Sequence, residues 1–129
     1  MPKVSKDGTT PIDQGDLGTE WRADLDGYTT ELVEVGRDAD LTELLRGLPG
    51  DVCPSPHWGY VFKGRMWWRL PDRVEEIGPG EAYYVPPGHT SGADAGTEFV
   101  IFSPTEVMGN VEAHMMRRMQ EGAAIAPQG

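Results

Sequence analysis

The chain has 129 residues and a formal net charge of −10, from 21 acidic and 11 basic side chains. This length suits one domain with one core, and the negative charge disfavours binding to nucleic acids or anionic membranes. The single cysteine excludes an internal disulfide bond, and no stretch approaches the about 20 apolar residues of a membrane helix. Because the polar start also lacks a secretion signal, we expect a cytoplasmic protein.

The first part of the chain combines an irregular segment with one strand. Residues 1–20 mix charged residues, Gly, Thr and Pro without a hydrophobic period, so we predict a flexible N-terminal arm unless a partner subunit holds it. The domain itself is predicted to span residues 21–103. Within it, the composition of YTTELVEV (residues 28–35) is typical of a strand. A short helical turn is expected after Asp40.

Residues 57–102 contain short runs typical of strands. These are WGYVF, RMWWRL, RVEEI, EAYYV and TEFVIF. The first four are separated by turn residues that include Lys63-Gly64, Pro71-Asp72 and Gly78-Pro79-Gly80. A parallel connection needs about a dozen residues or more, so such short gaps predict hairpins and an antiparallel, all-β domain.

The pattern changes after Phe102, where a helix is predicted over residues 104–122. Ser103 is a candidate N-cap, and Pro104 and Glu106 suit the first turn. A stripe of Val107, Val111, Met115 and Met119 at intervals of four is expected to pack on the sheet. Residues 123–129, with the sequence AAIAPQG, are predicted to form a tail.

Two segments, CPSPHWGYVFKG and GPGEAYYVPPGHTSG, resemble the two sequence motifs of the cupin superfamily. The resemblance covers about residues 28–103. Its most specific part is GEAYYVPPG, in which Gly80, Pro86 and Gly88 have the family spacing. The resemblance implies an antiparallel cupin or jelly-roll β-barrel, here with a short N-terminal arm and a C-terminal α-helix. It also implies a metal inside the barrel in many members.

Three residues are the candidate metal ligands, although the sequence departs from the usual His-x-His, Glu and later His. Aligned on YVFKG, His57 takes the place of the Glu, and Cys53 takes that of the second histidine. His89 lies two residues before the position of the later histidine, Ser91. One thiolate and two imidazoles suit Zn²⁺, with one position left for water or substrate. Iron is the second choice, because it would need a carboxylate such as that of Asp51.

A ligand pocket is expected beside these three residues. It is predicted to be lined by Gly59, Tyr60, Trp68, Tyr83 and Tyr84. Gly59 would leave space next to His57, and the inward-facing ring of each adjacent aromatic pair would form a wall.

These observations favour a small cytoplasmic cupin that binds a divalent metal and a small organic molecule, acting as an isomerase, lyase or cyclase. One alternative is a metal-free cupin that senses or carries a small ligand, with no cofactor. Another is an iron-dependent dioxygenase. A third is a structural module whose interior is filled by Trp and Tyr side chains. The resemblance and the outward aromatic residues also predict a homodimer.

Overall fold

A computed structural model describes residues 2–123. The strands are β1 (Ile12–Asp13), β2 (Gly18–Leu25), β3 (Tyr28–Val35), β4 (Ala39–Asp40), β5 (His57–Lys63), β6 (Met66–Arg69), β7 (Val74–Ile77), β8 (Ala82–Val85), β9 (Thr90–Ala93) and β10 (Glu98–Pro104). The α-helices are α1 (Thr42–Leu45) and α2 (Thr105–Gln120), and short 3₁₀ turns occupy Gly15–Leu17 and Pro49–Asp51. No helix within residues 2–123 is long and apolar enough to span a membrane.

The strands form two antiparallel sheets. One has six strands in the order β1-β2-β3-β10-β5-β8, and the other has four in the order β4-β9-β6-β7. Every described strand pair is antiparallel, which confirms the all-β prediction from the short connections. The two sheets are not joined by strand pairing in the described residues, so the jelly roll is an open sandwich and not a closed barrel.

The alternation of side chains divides the six-stranded sheet into an inner and an outer face. On β5, His57, Gly59 and Val61 face inwards, while Trp58 and Tyr60 are on the exposed side. The main core lies between the sheets and contains Val61, Met66, Trp68, Leu70, Tyr83, Val85 and Ala93. This apolar layer fixes the register, because a slip of one residue would exchange the two faces.

The prediction of an arm over residues 1–20 is wrong at its C-terminal boundary. β2 begins at Gly18, and β1 pairs with it. β2 continues into β3 through a two-residue turn in which Asp26 and Gly27 have φ values of 50° and 85°, the conformation that suits a tight hairpin. Further towards the N-terminus, the Lys6 ammonium group donates hydrogen bonds to Glu34 and Glu98, so this segment is held against the sheet.

The C-terminal helix is confirmed, with bounds that differ by one or two residues from those predicted. α2 packs through Met108, Val111 and Met115 on a second cluster that includes Leu45 and Cys53. Met119 is exposed, so the predicted apolar stripe ends one turn early. Ser103 is not the N-cap. It is an inward-facing residue of β10 and is fully buried. The tail predicted for residues 123–129 lies outside the described residues apart from residue 123.

Candidate metal centre

The structure brings Cys53, His57 and His89 together in the interior. Cys53 and His89 form an antiparallel bridge, with a 2.9 Å hydrogen bond from the Cys53 amide to the His89 carbonyl. The Gly88 amide donates to the Cys53 carbonyl at 2.8 Å. His57 is the first residue of β5 and points inwards from the opposite sheet. One sulfur and one ring nitrogen from each histidine all lie within 4.8 Å of one another, and all three residues are buried.

Both imidazole rings are held by the nitrogen that faces away from the cluster. His89 Nδ1 lies 2.8 Å from the Pro86 carbonyl oxygen, which can only accept, so Nδ1 carries the hydrogen and Nε2 keeps its lone pair. His57 Nδ1 lies 2.7 Å from Ser103 Oγ, and its Nε2 lies 3.7 Å from Cys53 Sγ. Ligating histidines in metal sites are oriented by such partners, so the arrangement suits metal binding through Nε2.

Burial sets the protonation state of the three groups. It lowers the pKa of His57 to about 3, with the nearby His89 as a further cause, and it also lowers the pKa of His89. Burial raises the pKa of the Cys53 thiol. Both histidines are therefore neutral at pH 7, the state that binds metal ions, and a cation would have to displace the thiol proton.

The separation of Cys53 Sγ and His57 Nε2 suits tetrahedral coordination. Bond lengths of about 2.3 Å to sulfur and 2.0–2.1 Å to nitrogen place tetrahedral S and N ligands about 3.6 Å apart. The observed Cys53 Sγ to His57 Nε2 separation is 3.7 Å. No carboxylate joins the group among residues 2–123. Asp51, the carboxylate considered for iron, is exposed, and its Oδ1 accepts a 2.8 Å hydrogen bond from the Gly47 amide.

The Trp68 ring packs against the cluster, and the Tyr83 ring packs against Trp68. The Trp68 ring lies 5.5 Å from that of His57 and 4.9 Å from that of His89, and the Tyr83 ring lies 5.7 Å from Trp68. These two members of the predicted pocket are therefore inside. Gly59 does not leave free space, because a Cβ there would lie 2.4 Å from the Tyr83 hydroxyl oxygen. The interior beside His57 is filled by Tyr83.

Two other residues assigned to the pocket point away from it. Tyr60 and Tyr84 are 38% and 54% exposed, on the outer face of the six-stranded sheet. The Tyr84 ring lies 5.2 Å from that of Trp58, its neighbour on that face. The expectation that both rings line the interior is wrong, because they alternate with the inward residues of β5 and β8.

Sequence reasoning missed a polar cluster on the inner face of β2 and β3. Glu31 is paired with Arg22 across these strands, and Arg22 makes hydrogen bonds of 2.6 and 2.9 Å to Glu112 on α2. Burial, with the charge of Glu20 as the next cause, raises the pKa of Glu31 to about 8. The alternation along β3 was the available signal, since Glu31 shares its face with Val33 and Val35.

Comparison with known proteins identifies the fold. No family model matches the chain, and no curated protein is similar to it in sequence. Among solved structures, an RmlC-like cupin from Shewanella frigidimarina has 15% identity and a TM-score of 0.54, over 78% of this chain and 87% of that one. The polyketide cyclase RemF from Streptomyces resistomycificus has 22% identity and a TM-score of 0.54, over 81% and 79%. A sugar phosphate isomerase of the cupin superfamily from Silicibacter pomeroyi has 16% identity and a TM-score of 0.55, over 80% and 75%. The chain therefore has a cupin fold.

Proposed function

We propose that this protein binds a divalent metal, zinc in preference to iron, through Cys53, His57 and His89, and acts on a small organic molecule. The observation that carries the proposal is the convergence of the three ligand atoms within 4.8 Å in the interior. Two of the structurally similar proteins are named as a cyclase and an isomerase, so the same chemistry, or that of a lyase, is the class we propose here.

Zinc is preferred because of the donor set. A thiolate and two neutral imidazoles suit Zn²⁺, whereas magnesium and calcium prefer oxygen ligands. Iron in oxygenases commonly has two histidines and one carboxylate. Here Cys53 occupies the third position, and the nearest carboxylate considered, that of Asp51, bonds to Gly47 instead.

The chain's own residues would prepare such a centre for chemistry. A zinc ion bound here would polarise a substrate carbonyl or acidify a bound water. Ser103 and the Pro86 carbonyl hold the two imidazoles in orientation, so the rings would not have to reorient on binding. The Trp68 ring, 4% exposed, keeps bulk water from the cluster.

Elemental analysis of the purified native protein tests the proposal. We expect about one zinc ion per chain, and zinc uptake after unfolding and refolding in chelator-treated buffer. Cobalt substitution should add a thiolate-to-metal absorption band that disappears in Cys53→Ser. Less than about a tenth of a metal ion per chain, with no uptake on refolding, would contradict the proposal.

A metal-free ligand carrier is the second candidate function, and one observation favours it. Cys53 Sγ contacts His57 Nε2 at 3.7 Å, and the Trp68 ring packs against both histidines, so these groups have partners within the protein itself. In that case Cys53→Ser should change only the free energy of unfolding, by about 1 kcal/mol, and zinc should not alter the melting temperature of either protein.

Replacing Ser103 tests whether the second hydrogen bond of His57 supports metal binding. Ser103→Ala should weaken zinc affinity by about 10- to 100-fold, because His57 loses the partner that orients its ring. Ser103→Thr keeps a hydroxyl group and should restore most of the affinity. Competition with a chromophoric zinc chelator gives both values. Equal affinities for Ser103→Ala and the parent protein would show that this bond has no role in metal binding.

We also propose that the protein is a homodimer, formed through the outer face of the six-stranded sheet. Six aromatic side chains there are 38–54% exposed: Tyr28, Trp58, Tyr60, Phe62, Tyr84 and Phe102. An aromatic side chain has about 150–250 Å² of surface in total. At the exposed fractions above, the six side chains together expose roughly 500 Å² of largely apolar surface. That approaches the apolar part of a standard interface, which buries about 800 Å² per partner.

Charge substitutions on the two sheets test the dimer. Phe62→Asp should weaken self-association at least about tenfold, because it places a carboxylate within this aromatic surface, beside Tyr60. Val74→Asp is the matched control, since Val74 is equally exposed, at 53% against 54%, but lies on β7 of the other sheet. Sedimentation equilibrium measures both. A parent protein that is monomeric at micromolar concentrations would contradict the dimer.

A further inference from the structure

A cleft lies between the two sheets, next to Trp68, where β6 and β7 face β8. Its volume is about 240 Å³. Leu70, Ile77, Val85 and Pro86 are among the residues that line it, together with Trp68 and Tyr83. Trp68 also walls the cluster of Cys53, His57 and His89, because its ring contacts both histidine rings. The cleft and the cluster therefore share one wall.

Trp68 carries a hydrogen-bond donor without a partner. Its indole Nε1 is buried, and no acceptor bonds to it in the described part of the chain. Leaving a buried donor unpaired costs about 1–3 kcal/mol, so a bound molecule that supplies an acceptor would recover this energy. The indole can only donate, which requires an oxygen or nitrogen acceptor on that molecule.

Tyr83 also lines the cleft, and its ring lies beside that of Trp68, with 5.7 Å between the ring centroids. Its hydroxyl makes one contact, a 3.5 Å approach to the Val100 carbonyl oxygen, which is longer than a normal hydrogen bond. The indole nitrogen is covered in this structure. Displacement of the Tyr83 ring by a bound molecule would break no strong hydrogen bond.

The charges at the mouth of the cleft favour a neutral ligand. Arg73 and Glu75 line the cleft, and the Arg73 guanidinium bonds to Glu75 at 2.7 Å and to Asp72 at 3.0 Å. Two carboxylates thus surround one guanidinium, and the chain as a whole has a charge of −10. No free positive charge is presented to an anion by these residues, and a carboxylate would meet net repulsion.

We propose that this cleft binds a small neutral molecule with one ring and one carbonyl group, and that Trp68 Nε1 donates a hydrogen bond to the carbonyl oxygen. The size follows from the volume, since an apolar cavity of about 150 Å³ accommodates benzene. The inference deepens the proposed function and rests on it for any reaction, because it places a carbonyl substrate beside the metal-binding cluster. Binding itself does not require the metal.

Titration by NMR with three matched probes tests the proposal. The probes are acetophenone, which has the carbonyl group, ethylbenzene, which lacks the oxygen, and benzoate, which is anionic. The indole N–H signals of the four tryptophans are followed in ¹⁵N-labelled protein, with the Trp68 signal assigned through the backbone and checked by its loss in Trp68→Phe. The Trp67 signal, from the opposite face of β6, is the internal control. Zinc-free and zinc-treated samples are compared.

Acetophenone should shift the Trp68 indole signal downfield and saturably, with little change at Trp67. It should bind about three- to tenfold more tightly than ethylbenzene, and Trp68→Phe should remove that difference. No saturable shift at Trp68, or equal affinity for the two neutral probes, would overturn the proposal. Tighter binding of benzoate would overturn the assignment of a neutral ligand. Because the titration is read in zinc-free protein as well, its outcome is separate from that of the elemental analysis.

Discussion

His57→Gln should weaken zinc binding by more than about 100-fold. Loss of a residue that only orients a ligand usually weakens metal binding by about 10- to 100-fold, and loss of the ligand itself should cost more. The substitution removes a ring nitrogen that lies 3.7 Å from the Cys53 sulfur and breaks the bond to Ser103. Isothermal titration of the refolded zinc-free protein measures the affinity. Circular dichroism shows whether the sheets are retained.

His114→Gln is the matched control for this loss. His114 lies on α2, and its Nε2 is 2.8 Å from the Arg46 carbonyl oxygen, away from the cluster. Its replacement should leave zinc affinity unchanged. If both histidine variants bound zinc as well as the parent protein does, the ion would be held elsewhere, and the three buried residues would not be its ligands.

Glu31→Gln should stabilise the protein at alkaline pH. The pKa of Glu31 is raised by burial from 4.5 to about 8 in the folded state, so folding favours the protonated carboxyl group. That contribution is complete below the unfolded pKa and is lost as pH rises through about 8. The parent should therefore lose on the order of 4 kcal/mol between about pH 5 and pH 9, at about 1.4 kcal/mol per unit of pKa difference, and the neutral amide should not.

The groups around Glu31 explain why its ionisation is costly. Glu20 on β2 and Glu112 on α2 add negative charge, and Arg22 opposes them but is already bonded to Glu112. Tyr83 on β8 also faces Glu31 and interacts with it electrostatically. Urea unfolding across the pH range gives the stability curves. Glu121→Gln, at the exposed end of α2, is the control. Parallel curves for the parent and Glu31→Gln would contradict the prediction.

The strands of residues 57–102 were predictable because each is bounded by residues that suit turns. The hairpin of β2 and β3 was missed, although Asp26-Gly27 between two strand-like runs is a hairpin signal. The start of β2 could not be predicted from the mixed composition of residues 1–20. This segment is held by backbone pairing between β1 and β2, and its side chains show no regular pattern.

The three candidate ligands were identifiable from the resemblance to the cupin motifs, but their surroundings were not. Alternation along β5 already placed Tyr60 opposite His57, so its assignment to the pocket ignored a rule that the sequence supports. The role of Ser103 required the register of β10 against β5, because the same residue also fits a helix cap. Which neighbour fills the space at Gly59 depends on the β5–β8 pairing, which no local pattern specifies.

The burial of all three candidate ligands has a kinetic consequence. Cys53, His57 and His89 are 4%, 4% and 1% exposed, and backbone hydrogen bonds join the segments of Cys53 and His89. An ion bound there would exchange with solvent only when part of the sandwich opens. Its residence time would follow the rate of that opening and be insensitive to chelator concentration, so the protein would retain through purification the metal it acquired while folding.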